Sequence, residues 1–151
     1  MPPPPENSVE FEVFFMGFQA NPFRFVRRAT VAVLSSLNEG FPLALCEAMA
    51  CGVPVASADC STGPREILAP NTPLKQYAAA PEWAEYGLLL PMLGKTRAEH
   101  AATAQPWVAA LGELLNDPAR RAHYAAQASR RADDFATRPV MAQWEQLIET
   151  A

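Results

Sequence analysis

Short, nearly unbroken apolar runs alternate with polar stretches punctuated by glycine and proline through the first part of the chain. The runs occupy residues 12–18 (Glu-Val-Phe-Phe-Met-Gly-Phe), 30–36, 53–57 and 86–91. Each is apolar on both faces, as expected of strands in a parallel sheet covered by helices on both sides. Asn21-Pro22 pairs an N-cap residue with a proline at the first helical position, which predicts a short helix to about Arg28. Residues 42–51 read as a second helix, opened by Pro42 and stopped by Gly52. Pro54 is placed near the beginning of the third strand, where a missing N–H is tolerated. Arg65-Glu66-Ile67-Leu68 is a helical turn, and residues 69–85 look irregular.

Beyond residue 91 the period changes from continuous to helical. Helices are predicted over 106–115, 118–135 and 139–149. Their apolar positions are Trp107, Leu111, Leu114 and Leu115, then Val140, Trp144, Leu147 and Ile148. Strands alternating with helices imply parallel βαβ units. The expected class is therefore α/β: about four mainly parallel strands flanked by helices, with a helical C-terminal third. The tryptophans are read as packing residues.

Composition narrows the functional classes. With 151 residues, half of them hydrophobic, the chain suits one domain with a real core. A net charge of −4 offers no electrostatic case for nucleic acid or an anionic membrane surface. No apolar run approaches the roughly 20 residues of a membrane span. Residues 1–10, beginning Met1-Pro2-Pro3-Pro4-Pro5, read as a disordered proline-rich lead-in without signal-peptide character. A soluble, cytoplasmic protein is expected. Cys46, Cys51 and Cys60 read as reduced thiols packed as small hydrophobes, and His100 and His123 as surface residues, with no metal site. The basic cluster around Arg120, Arg121, Arg130 and Arg131 is offset by Asp117, Asp133 and Asp134, and reads as a solvated helix face.

Candidate chemistry concentrates between Asn38 and Met49. A buried strand ending near Ser36, a small turn and a helix N-terminus form the arrangement that holds phosphate in open α/β sheets. With Pro42 at the first helical position, the Gly40, Phe41, Leu43 and Ala44 amides point out of the helix mouth. There the helix dipole is worth about 0.5–2 kcal/mol to an anion. Gly40 lets phosphate oxygens approach the backbone. Glu39 and Glu47, with seven residues between them, bracket this site. Carboxylates repel a pyrophosphate but accept strong hydrogen bonds from hydroxyls. A nucleotide-sugar supplies both chemistries. Read singly, Glu39 is an ordinary solvated turn residue and Glu47 an ordinary helix glutamate.

The run from Ser35 to Val55 (Ser-Ser-Leu-Asn-Glu-Gly-Phe-Pro-Leu-Ala-Leu-Cys-Glu-Ala-Met-Ala-Cys-Gly-Val-Pro-Val) closely resembles the nucleotide-sugar half of the retaining, group 1 glycosyltransferases of the GT-B fold. That family includes enzymes of lipopolysaccharide, capsule and phosphoinositol mannoside synthesis. Met16-Gly17-Phe18-Gln19, the run Ser61 to Leu68 and the run Tyr86 to Pro91 fit in order and spacing, so the likeness covers most of residues 11–150.

The resemblance implies a partial Rossmann-like, C-terminal donor domain over residues 11–151. Glu39 matches the first glutamate of the family's Glu-x7-Glu motif, a catalytic residue that contacts the transferred sugar. Glu47 matches the second, which binds the ribose. Gly40, Phe41, Pro42, Leu43 and Ala44 match the segment around the pyrophosphate. No metal or other cofactor is implied; the donor is an NDP-sugar, UDP being the commonest choice. The acceptor, a glycan or glycolipid, is held by a second domain. Peripheral contact with the inner face of the membrane is frequent among relatives.

Two parts of the family pattern are missing from this sequence: the acceptor domain, and the start of the donor domain with its glycine-arginine strand end and lysine. Arg24, Arg27 and Arg28 lie on the wrong element to replace them and read as helix surface. One expectation is a donor domain acting with a partner chain. The other is a truncated, non-catalytic remnant that at most holds a nucleotide-sugar. Self-association through uncovered apolar surface is expected in either case, with helix 139–149 exposing its apolar face.

Overall fold

The computed structural model describes residues 12–150; the expected lead-in at 1–10 lies outside them. Four strands and six α-helices follow one another as α1 (Phe23–Val26), β1 (Ala32–Leu34), α2 (Leu43–Ala50), β2 (Val55–Ala58), α3 (Pro64–Leu68), β3 (Glu82–Trp83), β4 (Leu88–Leu90), α4 (Arg97–Asn116), α5 (Pro118–Ala132) and α6 (Thr137–Glu149), with a 3-10 turn at Asp133–Phe135. The sheet order is β1-β2-β4-β3. β1 pairs in parallel with β2 (Val33 opposite Ala56) and β2 with β4 (Ser57 opposite Leu89), while β3 runs antiparallel to β4. The expected α/β class, mainly parallel sheet and helical C-terminal part are all present.

Strand alternation divides the core into two layers. Val55 and Leu89 face one side, where they pack with Leu45, Cys46, Met49, Ile67, Leu68 and Ala128 from α2, α3 and α5. Ala56, Ala58, Leu88 and Leu90 face the other side, against Trp107 and Ala110 of α4. Small residues on β2 admit the large Trp107 ring, whose Nε1–H donates to the Pro91 carbonyl at 2.8 Å. Packing is thus the role of Trp107, as expected, but Trp144 on α6 remains 58% exposed.

The first of the four expected strands does not form. Residues 12–18 form no strand, and Phe15 and Phe18 are 96% and 95% exposed. An extended segment needs a ladder partner and an apolar cover, and this one has neither among the described residues. Among the described residues β1 is accordingly an edge of the sheet. The antiparallel strand β3 arises instead in the stretch that reads as irregular.

Helix boundaries shifted for identifiable reasons. α1 is capped by Pro22, not Asn21, and the Pro22 carbonyl takes the Phe25 and Val26 amides. α4 starts at Arg97 and runs through Pro106, the residue at which the periodicity starts the helix. The signal for the true start was a capping box: Thr96 Oγ1 accepts from the Glu99 amide, and the Glu99 carboxylate accepts from the Lys95 and Thr96 amides. Asp117 caps α5 as expected, accepting from the Arg120 amide at 2.9 Å. Gly52, at φ +72°, closes α2, its amide donating to Met49 and that of Val53 to Ala48. Cys46 and Cys60 are buried free thiols and Cys51 is half-buried; His100 and His123 are exposed.

Candidate functional site at the mouth of α2

The segment from β1 to α2 makes a turn whose geometry departs from expectation at Pro42. That residue has φ −77° and ψ +83°, and helical geometry begins only at Leu43. These angles make an inverse γ-turn: the Leu43 amide donates to the Phe41 carbonyl at 2.9 Å. The Pro42 carbonyl then receives Leu45 at 2.9 Å and Cys46 at 3.4 Å, starting the helix ladder. The Leu43 amide is therefore engaged. The Gly40, Phe41 and Ala44 amides donate to no acceptor among the described residues. Gly40, Phe41 and Ala44 are also exposed, so the mouth is open to solvent.

Behind the turn lies the loop between β2 and α3. Gly63 has φ +91°, and a Cβ there would stand 2.3 Å from Pro42 Cδ and 3.2 Å from the Gly40 carbonyl oxygen. Only glycine supplies both the left-handed backbone and the space. Pro42 is buried beneath it. The Thr62 hydroxyl donates to the Glu39 carbonyl. The loop is in turn anchored by Arg65, which is buried and reaches Asp59, Glu82 and Thr72. Burial opposes the Arg65 charge, but hydrogen bonds to Glu82 and Asp59 outweigh it and hold its pKa above the ordinary value. Thr62, Gly63 and Arg65 are not marked as site residues by the sequence pattern of the Asn38–Met49 run. The available signal was glycine before a helix-opening proline, in Ser61-Thr62-Gly63-Pro64.

The two glutamates occupy different surroundings. Glu47 is exposed on α2, one turn beyond Leu43, and both line a cavity of about 450 Å³ together with Cys46, Ala50, Ser129, Asp133 and Phe135. Phe41 borders it through an edge-to-face contact with Phe135, ring centroids 5.4 Å apart. Burial pushes the Cys46 thiol up from its ordinary pKa, so it stays protonated there. Glu39 is half-buried in the turn and does not line that cavity. Beside Glu39, a second cavity of about 390 Å³ opens between the loops that follow β1, β2 and β4, with Asn38, Asp59, Ser61 and Lys95 in its wall. Ala44 faces a small cleft of about 70 Å³ against β1. The structure thus groups Leu43 with Glu47, and Gly40 with Pro42 under Gly63, while among the described residues the 450 Å³ cavity takes in Glu47 and not Glu39. Arg24 on α1 and Arg27 and Arg28 just past its end cluster together, all exposed, and line neither cavity.

Comparison with known proteins supplies the lineage. Residues 7–86 match the model of the family described as glycosyl transferases group 1. An uncharacterized glycosyltransferase of Methanocaldococcus jannaschii is 30% identical over 149 residues, covering 94% of this chain and 36% of that protein. The D-inositol 3-phosphate glycosyltransferase of Kineococcus radiotolerans is 39% identical over 109 residues, 72% of this chain and 22% of its own length. The lipopolysaccharide 1,6-galactosyltransferase of Salmonella typhimurium is 39% identical over 70 residues, 44% of this chain and 20% of that protein. The chain therefore spans about a third of the first relative's length (36%) and about a fifth of the others' (22% and 20%). The family match covers more than half of the sequence and contains the whole turn between β1 and α2. The chain belongs to the group 1 glycosyl transferases.

Proposed function

We propose that this chain is the donor half of a retaining hexosyltransferase and binds a nucleoside diphosphate sugar at the mouth of α2. The observation that carries this reading is the open helix tip, with three amides that have no acceptor among the described residues, between a half-buried and an exposed glutamate. The Gly40, Phe41 and Ala44 amides receive the diphosphate, and the helix dipole stabilises it without a metal ion. Glu47, in the wall of the larger cavity, accepts the ribose hydroxyls. Glu39 faces the transferred hexose and stabilises positive charge developing at its anomeric carbon.

In the family reaction the bond from the anomeric carbon to the diphosphate oxygen breaks, through an oxocarbenium-like state. The acceptor oxygen bonds to the same face, and its proton passes to the departing phosphate. The acceptor, a glycan or glycolipid, is held by a further domain or partner chain. Without one, this unit binds the donor and does not turn it over. Among the described residues no helix is long and apolar enough to cross a membrane; a cytoplasmic site of action, at most peripheral to the membrane, is part of this proposal.

Calorimetric titration of the purified chain with UDP, GDP and their hexose conjugates tests the reading. Binding that survives a chelator is the expected result. No heat at millimolar ligand would overturn it, and release of hexose from a labelled donor by the chain alone would overturn the need for a second unit.

A further inference from the structure

The loop between β2 and α3 touches the turn of the candidate site from behind, and its one side-chain hydrogen bond to that turn lands on an informative atom. Thr62 Oγ1 donates to the carbonyl oxygen of Glu39. That oxygen and the Gly40 N–H belong to one planar trans peptide, so fixing one fixes the direction of the other. With the oxygen drawn back toward the loop, the Gly40 N–H points the opposite way, and it donates to no acceptor among the described residues.

The rest of the loop is braced for this purpose. Its two ends, Asp59 and Arg65, are hydrogen-bonded at 3.1 Å and buried. The Gly63 amide donates to Glu66 at 3.3 Å, and Cys60 Sγ lies 3.7 Å from the Thr62 carbonyl. Gly63 itself sits against Pro42 and the Gly40 carbonyl. A peptide in an exposed glycine turn is otherwise free to rotate, because glycine imposes little φ/ψ restriction.

We propose that Thr62 is a positioning residue for the donor diphosphate: its hydroxyl aims the Gly40 N–H at the phosphate oxygens and orders the backbone that carries Glu39. This rests on the donor-site reading given above. Thr62 is exposed, so removing its hydroxyl leaves the core intact.

The test is an amide-resolved NMR titration of the 15N-labelled chain with inorganic pyrophosphate and with UDP. In the wild type the Gly40 resonance shifts on addition of either ligand. Thr62→Val and Thr62→Ala should bind about 3–10-fold more weakly, the size of one hydrogen bond, with a diminished Gly40 shift. Thr62→Ser should restore both affinity and shift. Uridine, which has no phosphate, should bind all four proteins alike, a pattern that a general loss of structure would not produce. Equal affinities and Gly40 shifts in wild type and Thr62→Val would overturn the inference while leaving the donor site standing. A wild-type Gly40 resonance that neither ligand moves would remove the donor-site reading, and this inference with it.

Discussion

Arg65 reaches back six residues to Asp59, and the two side chains lie 3% and 1% exposed, with Arg65 Nη2 also 2.8 Å from Glu82. This pairing joins the end of β2 to α3 and to the edge strand β3, and it carries the loop on which the site turn rests. Two carboxylates around one buried guanidinium keep each other's desolvation affordable only while all three are present. Asp59 Oδ1 takes no hydrogen bond among the described residues, so Asp59 depends on Arg65 and the Ala78 amide through Oδ2. Replacing Arg65 by Met should destabilise the fold by about 3–5 kcal/mol, since it strands a buried carboxylate. The double variant Asp59→Asn, Arg65→Met should recover a substantial part of that loss. Urea denaturation of the three proteins measures both, and a single variant within error of wild type would refute the bracing role.

Gly63→Ala should cost about 2–6 kcal/mol. Left-handed backbone strain contributes roughly 1–3 kcal/mol, and the clash at Pro42 Cδ adds a further 1–3 kcal/mol of overpacking. Adding Pro42→Ala to the variant removes the clash but not the strain, so only part of the loss should return. Thermal or urea midpoints distinguish these two contributions.

Glu47→Gln should weaken UDP binding by about 1–3 kcal/mol, the usual value of hydrogen bonds to a charged group. The substitution keeps the side-chain shape on an exposed helix face, so stability should hold. Calorimetry is the direct measurement. An unchanged affinity contradicts the ribose role.

The start of α4 should be sensitive to acid. The Thr96 and Lys95 amides donate to the Glu99 carboxylate and hold its pKa below the ordinary carboxylate range. A carboxyl whose folded pKa is lowered contributes stability that is complete above its unfolded pKa. The contribution disappears as pH falls through the folded value. Hydrogen exchange at the first turn of α4 should therefore accelerate below the ordinary carboxylate range in the wild type. Glu99→Gln should exchange at a rate that varies little over that interval apart from the intrinsic chemistry.

Met141, Trp144, and the pair Leu147 and Ile148 recur every three or four positions along α6 and are 49–74% exposed, forming one apolar stripe. The chain should associate as its concentration rises. Trp144→Glu with Ile148→Glu should suppress that association on sizing. A wild-type monomer at high concentration would show that the stripe is inert in isolation.

Much of this protein was legible from local pattern alone. Continuous apolar runs located β2 and β4, which are buried on both faces between helices, and β1, whose Val33 at the sheet edge stays 48% exposed. Gly52 and Asp117 located helix ends, because their chemistry satisfies orphaned backbone groups without outside help. The Asn38–Met49 run located the candidate site for the same reason: a turn and a helix tip are local objects.

Tertiary structure decided what depends on neighbours. Residues 12–18 are as apolar as any strand here but find no ladder partner among the described residues and form none there, while Glu82–Trp83 becomes a strand by lying beside β4. Pro42 is held out of helical geometry by the turn around it and covered by Gly63, a contact from a different loop. Thr62 and Arg65 matter through groups more than a few residues distant, Glu39 and Glu82 above all. Periodicity and capping are written along the chain, but hydrogen bonds and close contacts between separate segments exist only once the sheet has brought those segments together.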